Sequence, residues 1–427
     1  MITAASLRPL RVEQVLRLLP DIDALAPLRA SVVATSQVGS SAEPYLTVGK
    51  RYVESTGLRA LVPGAIARFT RHLVELYEAA VEALEAMERS NQSGAARALL
   101  RAGEREEAVG RDGAARAWYE IALSVAEELR DRRPECDALR RLGRCAQEHN
   151  LESAARYYQR SLALAEAELD HDAAARACQG LGDVALLGGA WQGAEAWYRR
   201  GLQFARNNRL LAAMLRVGLA NVACQRGDLA GAGEALCVAE ETFAELGHAE
   251  GLARLHAVRG AVEARRGQFA EALLHYQEAL AMVRTGVRQP RLEMEIRLDL
   301  CRLYLDWGRL PDAEDEIRRA EDVAISHTLI RELARTYILI GRVRGCQRDE
   351  TGFIFFEKAV ELARGGTEPS PRTEAEAYVE YARFKEALGE RDESEAYLER
   401  ARELIGALGD APPAALTPSA ARAGSVR

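Results

Sequence analysis

From about residue 94 to residue 405 the chain repeats one arrangement of small and large apolar positions. A small residue is followed four places on by an aromatic or large aliphatic one, and three places further by a second small one. The series runs Ala115-Tyr119-Ala122, Ala154-Tyr158-Ser161, Ala194-Tyr198-Gly201 and Ala232-Leu236-Ala239. It continues as Ala272-Tyr276-Ala279, Ala313-Ile317-Ala320, Gly352-Phe356-Ala359 and Ser394-Leu398-Ala401. The closing residues stand 39, 40, 38, 40, 41, 39 and 42 places apart, so eight units share one register. Eleven or twelve places before each opening residue lies another small one: Gly103, Gly143, Gly182, Ala220, Gly260, Cys301, Gly341 and Ala382. Apolar residues recur at i, i+3, i+4 and i+7 around both marks, which predicts two amphipathic helices per unit.

A turn separates the two helices. Gly110, Gly189, Gly227, Gly267, Gly308 and Gly389 each stand five residues before the next opening residue. There a helix would end in the left-handed conformation that glycine adopts without strain. Units two and seven have a turn one residue shorter, with Asn150 and Asp349 nearby instead. Small residues at fixed places let the helix axes approach, and the large residue fills the hole beside them. The predicted unit is helix, tight turn, helix and a longer loop.

The pattern resembles the tetratricopeptide repeat family over about three quarters of the chain, most closely from Leu181-Gly182 through Gly189 to Ala194-Glu195-Ala196-Trp197-Tyr198. The resemblance implies an all-α fold, a right-handed α-solenoid of helix-turn-helix repeats. The period is near 40 residues rather than the family's usual 34, and the family's closing proline is absent. In its lengthened loops the chain resembles subfamilies that cradle long peptides, the Pins/LGN-type scaffolds and the bacterial Rap-type peptide receptors. The family's clamp for chaperone tails is not reproduced, because Gly180 stands where a clamp asparagine is expected.

Three regions follow: an N-terminal helical region over 1–90, the array of eight repeats over 91–406, and a disordered tail over 407–427. Gly49-Lys50-Arg51-Tyr52 followed by Ala65 to Met87 reads as a degenerate capping repeat, interrupted by Pro63, and a solenoid needs atypical end units to close its core. The tail is rich in Ala, Pro and Gly with few large apolar residues.

Composition narrows the function. The 427 residues carry a formal charge of -7, which disfavours general binding to nucleic acid or anionic membranes. Lysine occurs only at Lys50, Lys358 and Lys385, leaving 54 arginines, a bias expected of a GC-rich genome. The seven cysteines are scattered with no C-x-x-C pair, which predicts a reducing compartment. Arginines interrupt the apolar residues of the N-terminus, and no 18-residue apolar run appears, so the expectation is a cytoplasmic protein.

Candidate chemistry is sparse. Gly180-Leu181-Gly182-Asp183-Val184-Ala185 matches the dinucleotide fingerprint, but that motif works after a β-strand, and here it falls inside a predicted helix. The seven histidines show no ligand spacing with cysteines or acid pairs, so neither metal nor cofactor is expected. Cys301 and Cys178 read as buried small hydrophobes. The aromatics at 118–119, 157–158 and 197–198 follow the repeat and read as core. No residue set supports catalysis.

Ligand contact is expected on the first helix of each unit, which lines the concave face in the family resembled. Six places before the small residue stand Arg97, Asp137, Arg176, Met214, Arg254, Glu295, Arg335 and Glu376. One place after it stand Glu104, Arg144, Asp183, Asn221, Ala261, Arg302, Arg342 and Arg383. Eight of the sixteen are arginine, where roughly 2 would follow from composition and about 4 from surface bias. Units two to five add Arg140, Gln179, Leu186 and Val217. Arginine can hold a carboxylate through two parallel hydrogen bonds, and Asn221 can donate to and accept from a peptide backbone. The predicted groove is positive at both ends with an apolar, amide-bearing middle. Its predicted ligand contacts are Arg140, Arg144, Arg176, Gln179, Leu186, Val217, Asn221 and Arg254.

Two functions fit. One is a non-enzymatic scaffold or adaptor that captures a segment of another protein or peptide, with acidic segments favoured. The other is a peptide-responsive regulator, Rap-like, whose solenoid changes pitch on binding. An enzyme within residues 1–90 lacks any Gly-rich or acid–histidine constellation to support it.

Overall fold

The structure is a computed structural model. It describes Leu76, Ala79 and residues 92–108, 110–287, 289–327, 329–365 and 369–408. The predicted capping unit, Leu76 and Ala79 apart, and residues 409–427 of the predicted tail lie outside these residues. Ala407, assigned to the tail from sequence, is the last residue of the final helix, and Leu408, its C-cap, is buried.

Among the described residues there are sixteen α-helices and no strand. In chain order they form eight pairs: α1 (Gln92–Ala108) and α2 (Asp112–Leu129), α3 (Arg132–Ala146) and α4 (Leu151–Ala167), α5 (His171–Leu187) and α6 (Trp191–Phe204). Next come α7 (Arg209–Arg226) and α8 (Leu229–Glu245), then α9 (Ala249–Arg265) and α10 (Phe269–Met282). The array ends with α11 (Pro290–Asp306) and α12 (Leu310–Ser326), α13 (Ile330–Cys346) and α14 (Gly352–Arg364), α15 (Pro371–Ala387) and α16 (Arg391–Ala407). The fold of the described residues is all-α, built of helix–turn–helix pairs.

Local chemistry sets the boundaries. Asn150, Asp170, Asn208 and Asp228 each cap the following helix by accepting a hydrogen bond from a backbone N–H three residues on, at 2.7–3.0 Å. His248 does the same through Nδ1 at 2.9 Å. Pro290 and Pro371 open helices where their missing N–H costs nothing. All six predicted turn glycines have positive φ, between 74° and 86°. In the seventh unit Arg348 takes that conformation, and Asp349 closes the turn by accepting from the N–H and hydroxyl of Thr351.

The chain divides into two compact units inside α3, between Leu142 and Gly143. In the first, Trp118 and Tyr119 of α2 are fully buried. A Cβ at Gly103 of α1 would fall 2.4 Å from the Tyr119 ring. The Tyr119 hydroxyl donates to Glu107 at 2.8 Å, and Arg141 pairs with Glu104 and Glu107.

In the second unit each second helix packs on its own first helix and on the next one, and the first helices of successive pairs also touch. That closer inner row makes α5, α7, α9, α11, α13 and α15 the concave side. Aromatic wedges set the spacing. The Tyr198 ring lies against Gly182 of its own pair and Gly218 of the next, where a Cβ would fall 2.5 and 2.8 Å away. Tyr158 fits in the same way between Gly143 and Gly180. The fingerprint-like Gly180-Leu181-Gly182 is thus a seat for two tyrosines, one on each side of α5.

The winding brings distant pairs together. Arg331 at the start of α13 lies 3.4 Å from Glu148 just past α3. Arg372 at the start of α15 donates to the Leu187 carbonyl at the end of α5, at 3.5 Å. Both contacts join the first helices of pairs five places apart.

Candidate ligand-binding face

The inner helix row carries the predicted contacts. On α5, Arg176 is exposed, and Gln179, Asp183 and Leu186 are half-buried along one stripe. On α7, Met214, Val217 and Asn221 are half-buried in the same register. Gln179 and Val217 precede the small residue of their helix by three places, and Asp183 and Asn221 follow it by one. Arg254 on α9 is exposed. Arg144 is exposed on the part of α3 within the second unit. Arg140 belongs to the first unit, where it pairs with Asp137 at 3.3 Å.

The C-terminal half of the row differs electrostatically. Arg254 contacts Glu250 at 3.2 Å and Glu295 at 3.9 Å. Arg302 pairs with Asp299 at 2.8 Å and Glu376 at 3.6 Å. Arg335 pairs with Glu376 at 3.6 Å, and Arg342 with Glu380 at 3.4 Å. Arg383 also reaches Glu380, at 2.5 Å. The expected positive end is therefore compensated by acids from neighbouring turns of the same face. Beneath it, the positions matching Gln179 and Val217 are Leu298, Ile338 and Val379, all buried.

Arg176, Gln179 and Asn221 have no hydrogen bond or ion pair to the described residues. Asp183 accepts from the Tyr198 hydroxyl at 2.6 Å. Burial pushes its carboxyl up to about 6, against the opposing pull of that hydrogen bond and of Arg254 two pairs along. Glu295 is likewise raised, chiefly by burial, with Arg254 and Arg335 acting in the other direction. Asp183 is half-buried on this face, whereas more than half of the Glu295 side chain is accessible.

One grouping escaped the sequence. His256 of α9 and His275 and Glu278 of α10 bring three donor atoms within 4.8 Å of one another. The pair His275 and Glu278, spaced i, i+3, was the readable signal. The third donor comes from another helix, nineteen places away, which linear spacing does not show.

No family profile matches the sequence, and no curated protein matches it either. Among solved structures the chain is similar to a Rap protein complexed with competence and sporulation factor, at 11% identity. That match covers 95% of this chain and 99% of the other, with a TM-score of 0.48. A second match is the apo form of the quorum sensor NprR from B. thuringiensis, at 13% identity, covering 88% and 99%, with a TM-score of 0.46. A third is a tetratricopeptide repeat protein from Parabacteroides merdae, at 14% identity, covering 70% and 98%, with a TM-score of 0.41. At these identities and TM-scores the likeness carries no conclusion about ligand or activity. No helix among the described residues is long and apolar enough to cross a membrane.

Proposed function

We propose that the chain is a non-enzymatic interaction scaffold whose inner helix row holds a peptide segment of another protein. The observation that carries this reading is the pair of half-buried amides, Gln179 and Asn221, one helix pair apart on the same face. Neither has a hydrogen-bond partner within the described protein. A partly desolvated amide left unpaired costs about 1–3 kcal/mol, which an extended peptide's N–H and C=O groups can offset. Arg176 beside them supports an acidic segment, as a planar fork for a carboxylate. Leu186, Met214 and Val217 supply apolar contact, and Arg144 extends the face toward its N-terminal end. The net charge of -7 speaks against nucleic acid and anionic membrane as partners.

The test is capture by the tagged full-length chain, with bound species identified by mass. The wild type retains a stoichiometric protein partner, and Arg176→Glu with Arg254→Glu abolishes capture at an unchanged circular-dichroism melt. Retained capture removes the arginine face from the mechanism, and turnover by the purified chain overturns the non-enzymatic reading.

A second reading, a Rap-like peptide-responsive regulator, draws on the contacts of Glu148 with Arg331 and of Leu187 with Arg372. A ligand seated inside the winding would change its pitch by making or breaking them. A short co-purifying peptide in place of a protein partner favours this reading.

A further inference from the structure

On the side of the second helices, where α8, α9 and α10 meet, three donor atoms converge. His256 Nδ1 lies 3.4 Å from His275 Nδ1 and 3.0 Å from Glu278 Oε2, and His275 Nδ1 lies 3.4 Å from that oxygen. A zinc ion bonded at about 2.0–2.1 Å in tetrahedral geometry separates its ligands by roughly 3.3–3.4 Å. The triangle of donors has the dimensions of one face of that tetrahedron.

The surroundings suit a cation. His256 is buried, which holds its ring in place, while Glu278 is about half exposed, with 54% of its side chain accessible. Arg259, which acts on His256, is paired with Glu240 of α8 at 2.6 Å. Two ring nitrogens and a carboxylate oxygen converge on one spot, where an imidazole N–H of either ring or a metal ion satisfies them.

We propose that His256, His275 and Glu278 form a binding site for a zinc-type divalent transition ion. Two nitrogens among three donors select such an ion over magnesium or calcium. Three protein ligands leave the fourth position to water on the side of Glu278, as in an open zinc site. The ion ties α9 to α10 across the middle of the array. It therefore stabilises the folded chain by an amount that grows with the logarithm of the free ion concentration above Kd. The site is separate from the inner face and stands or falls without the peptide reading.

The test uses the full chain, stripped with chelator and titrated with Co²⁺ under visible absorption and with Zn²⁺ by calorimetry. The expected result is one ion per chain, an intense four-coordinate cobalt band, and displacement of cobalt by zinc. His275→Ala and Glu278→Gln each weaken Zn²⁺ binding at least about tenfold. Glu278→Gln, at a half-exposed position, keeps the test valid if His275→Ala disturbs the fold. Absent stoichiometric binding, wild-type affinity in both variants, or equal thermal stabilisation by Mg²⁺ would each show that protons alone hold the cluster and overturn the proposal.

Discussion

The ring of Tyr158 covers Gly180 of the following helix pair so closely that a Cβ at Gly180 would fall 2.2 Å from it. Gly180→Ala therefore overpacks the junction between the second and third pairs. The expected loss is about 1–3 kcal/mol, partly offset by up to about 1 kcal/mol of helix propensity. The same change at Gly233, where a Cβ meets only Arg266 at 3.6 Å, should raise stability by up to about 1 kcal/mol. Urea denaturation of the two variants checks the opposite signs.

Arg297 is buried between Glu293 and Glu316, with 2.7 Å contacts to each. Arg297→Met leaves the buried Glu316 with only the exposed Arg319 as counter-charge and should cost up to about 3 kcal/mol. Adding Glu316→Leu should recover most of that loss. Chemical denaturation of the single and double variants measures it, and a double variant as unstable as the single would show that packing, not charge, sets the cost.

Asp183 gives the fold a defined response to pH. Its folded value of about 6 lies above the unfolded value of about 3.9. Between roughly pH 4 and pH 6 the unfolded chain has released a proton that the folded chain keeps, so this group lowers stability as pH rises. Below about pH 4 both states are protonated and the slope vanishes. Asp183→Asn keeps an acceptor for Tyr198 and should gain stability relative to wild type across that window. Parallel melting curves from pH 3.5 to pH 7 would contradict the assignment.

The contacts between distant pairs join half-buried arginines to single partners at 3.4 and 3.5 Å and are individually weak, each worth about 0–1 kcal/mol. Glu148→Ala should leave the melting temperature nearly unchanged, because Arg331 keeps its 3.0 Å contact with the buried Glu332. Backbone hydrogen exchange at 147–150 should quicken, and unchanged protection there would show that the winding is set by neighbouring pairs alone.

The helix pairs were legible because one local rule, a glycine or alanine opposite a large residue, recurs at nearly constant spacing. Gly103 with Tyr119 and Gly341 with Phe356 show that rule as direct contact. The electrostatics of the inner face were not legible. Arg335 meets Glu376 across two successive pairs, and no linear pattern reveals which acid will face which arginine. The histidine cluster was hidden for the same reason, since His256 and His275 approach only once the fifth pair has closed.

Arg372 reaching back to Leu187 shows how far the winding of the second unit carries over five helix pairs. In an open row each module interacts only with its neighbours. Here the third and eighth modules also meet, so a module inserted between them would carry both ends of the contact out of phase and leave the bridging side chains facing empty solvent. At about 0–1 kcal/mol such a bridge reports the phase of the winding without holding it.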